Sequence, residues 1–156
     1  MVTLGISSNT RQLGMAIINE GKLIEYAIRQ YKSQWSTAKA TKIVTSLEAC
    51  VSRYSVKKVV LSMPPKHHQT KEFKLLWKRI ARFLTQKNIP LIEAPPSTLL
   101  ALVPEGERKI KQSLMQALVQ HFPELEYYRQ KELENNHKYY IKIFEAVAVA
   151  AVNEGK

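Results

Sequence analysis

The order of apolar periodicities along the chain constrains its fold more than any other feature. Three short segments with strand-like alternation come first, at Val2–Ser7, Leu13–Ile18 and Leu23–Gln30. The stretches Ser8–Arg11 and Asn19–Lys22 that separate them are typical of tight turns. The first thirty residues therefore predict an antiparallel meander of three strands.

Beyond residue 35 the apolar spacing changes from that of strands to that of helices. Ser36 is a good N-cap, and apolar residues recur after it at helical spacing as far as Tyr54. Val59–Ser62 is a short apolar run typical of a strand buried on both faces. Thr70 is predicted to cap a second helix, and Pro90–Ala94 is predicted as a fifth strand. Helices between strands three, four and five imply crossovers to strands parallel to the first.

The last third of the chain is predicted to be mainly helical. We expect a short helical turn at Ser97–Leu102, a loop at Pro104–Glu107 and a third helix at Lys109–His121. Residues 124–137 are polar and mixed in charge, and are expected to be helical or irregular. A last helix, from about Tyr139 to Asn153, carries a run of Ala and Val whose small side chains permit close packing against a sheet.

This order of elements predicts an α/β fold of the ribonuclease H-like type. The expected sheet has five strands and is mixed, with three antiparallel strands followed by two parallel ones and with helices on both faces. A chain of 156 residues is long enough to bury a sizeable core. We therefore expect one domain over residues 1–156.

The charge of the chain indicates its partners. The net charge is +11, all 13 acidic residues are Glu, and there is no Asp. Residues 1–100 contain 16 Lys and Arg against 5 Glu, whereas residues 101–156 contain 8 of each kind. A positive field of this kind favours polyanions, with nucleic acid first and an anionic membrane second. The alternative is a generally basic surface that keeps the protein soluble.

Other features of the composition indicate a cytoplasmic protein that does not enter a membrane. No apolar run approaches the roughly 20 residues that a membrane-spanning helix needs. The first residues are predicted as a strand rather than as a leader peptide. The single cysteine, Cys50, allows no internal disulfide, which is consistent with a reducing compartment.

Five segments, taken in order, resemble one known family. They are Leu4–Asn9, Leu13–Ile17, Val59–Ser62, Ile92–Ser97 with Lys111–Leu114, and Glu145–Ala150. In this order they resemble the RuvC family of Holliday junction resolvases, and more distantly the YqgF group, within the ribonuclease H-like superfamily. Leu4–Asn9 stands where that family has Leu-Gly-Ile-Asp-Pro-Gly, and Glu145–Ala150 resembles its Asp-Ala-Leu-Ala-Ile-Ala. The match spans nearly the whole chain.

The chain departs from this family at the residues that carry its chemistry. The resemblance implies two divalent metals held by converging carboxylates. Here the strand-one Asp is Ser7, the strand-four Glu is Ser62, and on the last helix Lys142 precedes the one retained acid, Glu145, by a turn. A hydroxyl binds Mg²⁺ far more weakly than a carboxylate, and a lysine would compete with the metal. These departures predict a degenerate pocket that needs no metal cofactor, and the i−3 spacing predicts that Glu145 pairs with Lys142.

Two alternatives remain open at this point. The first is an active, structure-specific endodeoxyribonuclease that uses Mg²⁺ or Mn²⁺ at a rewired acidic site containing Glu93 and Glu145. The second is a non-enzymatic scaffold that exposes the polar segment 124–137 to a protein partner.

Basic residues around the second helix predict where nucleic acid would bind. Four of them follow one another at i, i+3, i+7 and i+11, which places them in one stripe, although a solvated helix face has the same pattern. Ligands of open α/β sheets tend to lie beyond the carboxyl ends of the strands, and the loop before this helix is expected there. The candidate nucleic-acid-binding residues are Arg11, Lys66, His67, Lys71, Lys74, Lys78, Arg82 and Lys111.

The leading hypothesis is a nucleic-acid-binding, resolvase-like protein that has lost metal-dependent nuclease activity. The resemblance implies branched or double-stranded DNA as the ligand. It also implies a homodimer, because resolvases of this type generally act as dimers.

Overall fold

The computed structural model describes residues 1–9, 11–31, 34–108, 111–134 and 140–154. Its strands are β1 (Val2–Ser8), β2 (Gln12–Asn19), β3 (Lys22–Gln30), β4 (Lys58–Ser62) and β5 (Leu91–Ala94). Its helices are α1 (Thr37–Tyr54), α2 (Lys71–Gln86), α3 (Pro96–Leu100), α4 (Lys111–His121), α5 (Glu126–Glu134) and α6 (Ile141–Asn153). Single 3₁₀ turns lie at Lys66–His68 and Pro123–Leu125.

The five strands form one mixed sheet in the order β3-β2-β1-β4-β5. Strand β2 pairs antiparallel with both β1 and β3, whereas β4 is parallel to β1 and β5 is parallel to β4. The predicted sheet is thus confirmed. Its register places Ser7 of β1 directly beside Ser62 of β4.

Local capping explains where the two long helices begin. The Ser36 hydroxyl accepts a hydrogen bond of 3.1 Å from the backbone N–H of Lys39 at the start of α1. The Thr70 hydroxyl accepts an equivalent bond of 3.1 Å from the Phe73 N–H at the start of α2. Both predicted N-caps are confirmed, and they fix where each helix leaves the preceding loop.

One face of the sheet is covered by α1 and α2 through large apolar side chains. These helices and the facing strand positions bury a continuous cluster, and its helical members include Ile43, Leu47, Leu76, Ile80 and Leu84. The apolar stripe of α2 is opposite its charged residues, so the helix is amphipathic in the usual way. The outer surface of α2 is left free to carry charge.

The other face of the sheet is covered by α6 through small side chains. Ala146, Ala148 and Ala150 are fully buried there. A Cβ atom on Gly5 would collide with the carbonyl oxygen of Ala146, and one on Gly14 would collide with the carbonyl of Lys142. The helix backbone therefore rests almost directly on β1 and β2, which confirms the close packing expected from its small residues.

The region after β5 differs from the prediction in its boundaries. The helical turn begins one residue earlier, at Pro96, because the fixed φ of proline suits the first turn of a helix. Pro90 precedes β5 instead of starting it. The polar segment 124–137 contains α5 up to Glu134, and its remainder lies outside the described residues, as do predicted helix positions 109, 110 and 139. In the part of the chain that is described, no helix is long and apolar enough to cross a membrane.

Candidate functional site

The predicted pocket residues meet where β1 and β4 end beside the first turns of α6. Ser7 is 3% exposed and its hydroxyl donates a hydrogen bond of 2.9 Å to Oε1 of Glu145. The ammonium of Lys142 donates to the same oxygen, also at 2.9 Å. The structure thus brings Ser7, Ser62, Lys142 and Glu145 together, and the expected pairing of Glu145 with Lys142 is present.

Glycine at position 14 allows this arrangement. Its missing side chain leaves room for the backbone of α6 at Lys142 to lie against β2. Glu145, one turn further along α6, then stands above the neighbouring strand at Ser7. The close approach of α6 to the sheet is therefore what delivers both the acid and the lysine to the pocket.

The charges of the pocket compensate each other locally. The Glu145 side chain is 12% exposed and that of Lys142 is 20% exposed, so this ion pair is largely withdrawn from solvent. A buried carboxylate is tolerated when it is both ion-paired and hydrogen-bonded. Oε1 of Glu145 is ion-paired with the Lys142 ammonium and accepts a hydrogen bond from the Ser7 hydroxyl. The acid is thus held by the protein's own donors.

The donor set does not fit a two-metal centre. Such a centre places two divalent ions about 4 Å apart and needs several carboxylates around them. The residues that the structure describes contain no group of three or more His, Cys, Asp or Glu side chains that could hold a metal ion. The one acid in the pocket has a lysine ammonium at 2.9 Å, in a position where it would repel a cation.

Glu93 does not join Glu145 in the pocket. The pairing of β4 with β5 sets Glu93 opposite Leu61 and sets Ala94 opposite Ser62. Because successive side chains of a strand point to opposite faces, Glu93 shares the face of Leu61, which packs with α1 and α2. Its side chain is exposed there, on the other side of the sheet from Glu145.

A cavity of about 540 Å³ opens beyond the carboxyl ends of β1 and β4. Its polar floor consists of Ser7, Ser8, Ser62, Lys142 and Glu145. Its walls are apolar and consist of Met63, Pro64, Pro65, Pro96, Leu99, Leu100 and Leu114. His68 and Lys111 complete the lining. The loop after β4 lies at the carboxyl ends of the strands, as expected, although Arg11 does not line the cavity.

The apolar walls are the part of the site that sequence analysis missed. They come from three separate segments, namely the loop after β4, helix α3 and the start of α4. The signal that was available is the spacing of Pro96, Leu99 and Leu100, which puts proline and leucine on one side of a short helical turn next to a strand end. Nothing in the sequence indicates that Leu114 faces the same space.

The predicted basic stripe lies on the outer surface of α2. Lys71, Lys74, Lys78 and Arg82 are all exposed, and none of their side chains makes an ion pair or hydrogen bond with another described residue. At 1.5 Å per residue the stripe extends about 16 Å along the helix. It begins next to the 3₁₀ turn that exposes Lys66 and His67. These six side chains form one continuous basic surface, which we call the α2 surface.

Two further candidates lie apart from the α2 surface. Lys111 lines the cavity from α4. Arg11 is exposed at the start of β2, close enough to α1 that its charge acts on Lys39. Burial, and then the positive charge of Arg11, lower the pKa of the Lys39 ammonium. The eight candidate residues therefore occupy three places rather than one.

Sequence comparison with known families and curated proteins gives no match. Comparison with solved structures gives several matches. RuvC of Thermus thermophilus matches with a TM-score of 0.75 and 13% identity, over 97% of this chain and 92% of that one. The same protein in complex with a Holliday junction substrate gives 0.74 and 12%, over 97% and 91%. Fowlpox virus resolvase in complex with Holliday junction DNA gives 0.58 and 17%, over 96% and 94%. The chain thus has a RuvC-like, ribonuclease H-like fold.

Proposed function

We propose that this protein binds DNA, with a preference for branched or double-stranded forms, and does not cut it by metal-dependent chemistry. One observation carries the second half of this proposal. Where the resemblance implies a cluster of carboxylates, the pocket holds a single one, and Ser7 and Lys142 already occupy its Oε1. The function proposed here therefore requires no divalent cation.

The α2 surface supports the first half of the proposal. Its four helical cations are not neutralised by neighbouring acids among the described residues, so their charges add to one field. Phosphate contacts with Lys and Arg supply most of the affinity for nucleic acid in the absence of base recognition. The solved relatives in complex with Holliday junction DNA suggest the branched form as the ligand to test first.

Salt dependence of DNA binding tests the α2 surface directly. Each phosphate that a cation neutralises contributes about 0.9 to the slope of log affinity against log salt concentration. Anisotropy of labelled four-way junctions, duplexes and single strands would give this slope for the wild type and for Lys74→Gln/Lys78→Gln. We expect the double variant to lose about 1.8 from the slope on its preferred ligand.

The matched control removes the same charge at the opposite end of the sheet. Lys22 and Lys57 are both exposed, near the start of β3 and just before β4. Lys22→Gln/Lys57→Gln should leave the slope unchanged. A slope near zero in the wild type, or an equal loss in both double variants, would contradict the proposed interface.

Cleavage assays test the absence of nuclease activity. Labelled four-way junctions incubated with Mg²⁺ or Mn²⁺ are expected to remain intact. Cleavage that disappears in Glu145→Gln would overturn the proposal and establish an active nuclease. Sedimentation of the same sample would test whether the protein is a homodimer, which we propose by analogy with resolvases of this type.

The exposed side of α5 favours a second candidate function, that of a protein-binding scaffold. Tyr127 is 59% exposed and Leu133 is 47% exposed on this short polar helix. Contact sites between proteins expose contiguous apolar area, and two of the large hydrophobic side chains that are exposed among the described residues belong to this one helix. A protein with no measurable affinity for any nucleic acid would favour this candidate over DNA binding.

A further inference from the structure

We propose that the cavity at the carboxyl ends of β1 and β4 binds one nucleotide unit with a terminal phosphate, with its base between the apolar walls. The inference deepens the DNA-binding proposal, because it assigns a ligand to the pocket where metal-dependent cutting would otherwise take place. The nucleotide is either free or at the end of a strand.

The walls of the cavity suit a flat, apolar body. Met63 and Pro64 of the loop after β4 and Leu99 and Leu100 of α3 line the space next to the strand ends. A volume of about 540 Å³ lies within the roughly 300–1,000 Å³ usual for small-molecule sites, which are mostly apolar with a few placed polar groups. Two fully hydrated metal ions would be poorly accommodated by such walls, whereas a heterocycle would bury its faces against them.

The floor of the cavity provides a buried hydroxyl without a protein partner. Ser62 is 6% exposed, and its hydroxyl makes no hydrogen bond with the described residues. Since Ser62 pairs in register with Ser7, both side chains point to the face of the sheet that α6 covers, where the cavity lies. The Ser62 hydroxyl lies at the surface of the cavity, where a ligand can reach it. A ligand with a polar edge, such as a base, would satisfy it.

The charges of the lining select an anionic group of low charge. The lining contains the ammonium groups of Lys111 and Lys142 and the carboxylate of Glu145. The ammonium of Lys142 has three donors, of which Glu145 takes one. A phosphate placed at the lysines would leave the base in contact with the walls. A nucleoside monophosphate combines these two parts, whereas inorganic phosphate lacks the apolar body.

Titration of the ¹⁵N-labelled protein with mononucleotides tests the inference. The probes are AMP, CMP, GMP and UMP, the corresponding nucleosides, and inorganic phosphate alone. We expect saturating shifts at the amides of Ser62, Leu99 and Leu114 with a Kd of about 0.1–1 mM for at least one mononucleotide. The matching nucleoside and inorganic phosphate should bind about tenfold more weakly or not at all. Absence of these shifts, or equal binding of phosphate alone, would overturn the inference.

Two variants test whether the ligand occupies this cavity. Ser62→Ala removes the unpartnered hydroxyl and should weaken mononucleotide binding by about fivefold to tenfold. Leu100 is 38% exposed at the mouth of the cavity, so Leu100→Trp narrows that mouth and should weaken mononucleotide binding by tenfold or more. Leu133→Trp is the matched control, because Leu133 is similarly exposed at 47% but belongs to α5. Equal losses in both tryptophan variants would contradict binding in the cavity.

Competition distinguishes the two sources of the ligand. An oligonucleotide with a 5′-phosphate or 3′-phosphate that displaces the mononucleotide identifies a strand end as the ligand. Failure of both oligonucleotides to compete, with mononucleotide binding intact, identifies the free nucleotide. Both results support a nucleotide site.

The outcome is separable from that of the DNA-binding proposal. Lys74→Gln/Lys78→Gln lies outside the cavity and should weaken binding of long DNA without changing mononucleotide binding. Loss of mononucleotide binding with salt-dependent DNA binding intact would overturn the cavity inference alone. The reverse result would overturn the DNA-binding proposal and leave the nucleotide site standing.

Discussion

The two faces of the sheet are covered in opposite ways. Large side chains such as Leu76 and Ile80 separate the backbones of α1 and α2 from the sheet, whereas the backbone of α6 lies directly against Gly5 and Gly14. The first arrangement leaves a helix whose outer surface is free to vary and to carry charge. Backbone contact of the second kind fixes the position of α6 against the sheet. The polar pocket lies on the face that α6 covers, and the basic surface lies on the outer side of α2.

The largest expected difference between the faces is in their tolerance of one added methyl group. Gly14→Ala should lower the free energy of unfolding by about 4 kcal/mol, above the usual 1–3 kcal/mol for overpacked cores, because the obstructing atoms are backbone. Gly21→Ala is the control: it has open space around it and a φ of +76°, so it should cost about 1 kcal/mol. Urea denaturation measures both, and equal values would mean that α6 is not held as tightly as described.

A cavity created on the other face should have a somewhat smaller effect. Leu76 is 1% exposed beneath α2, and Leu76→Ala should lower the free energy of unfolding by about 3 kcal/mol. Its neighbour Leu75 is 44% exposed on the same helix, and Leu75→Ala should change it by less than about 0.5 kcal/mol. A large loss at Leu75 would show that the outer surface of α2 is covered in solution.

The ion pair in the pocket should show a clear but smaller coupling. Lys142→Met leaves the buried carboxylate of Glu145 with Ser7 as its remaining donor, and should cost about 1–2 kcal/mol. Combining Lys142→Met with Glu145→Gln should cost less than the sum of the single changes, with a coupling of about 1 kcal/mol. Chemical denaturation of the four proteins completes the cycle. Additive values would show that the two side chains do not interact in solution.

The smallest expected effect is on reactivity rather than on stability. Cys50 is half-buried on α1, where burial raises the pKa of its thiol. Since the thiolate is the reactive form, a raised pKa lowers its fraction near neutral pH. The folded protein should therefore react with a thiol reagent more slowly than the protein in urea. Equal rates, followed by absorbance, would indicate that α1 opens readily.

Sequence reasoning predicted the sheet because its signals are local. The turns after β1 and β2, the caps Ser36 and Thr70, and the apolar run of β4 each depend on a few neighbouring residues. The same holds for the pairing of Lys142 with Glu145, which are one helical turn apart.

The cavity walls could not be predicted because they depend on contacts between residues that are far apart in sequence. Leu99 and Leu114 reach the same space only after α3 and α4 have folded back over the strand ends. The position of Glu93 was open for the same reason. Its face of the sheet follows from the register of β5 against β4, and a shift of one residue would reverse it.

The contact between α6 and the first two strands joins the two ends of the chain. Ser7 and Glu145 are 138 residues apart in sequence, and contacts of such long range slow folding because a large loop must close first. During synthesis, at roughly 5–20 residues per second, the amino-terminal strands would wait on the order of ten seconds for the helix that covers them. Until then Gly5 and Gly14 lie on an exposed apolar sheet face, so the nascent chain is expected to depend on chaperones more than the finished protein does.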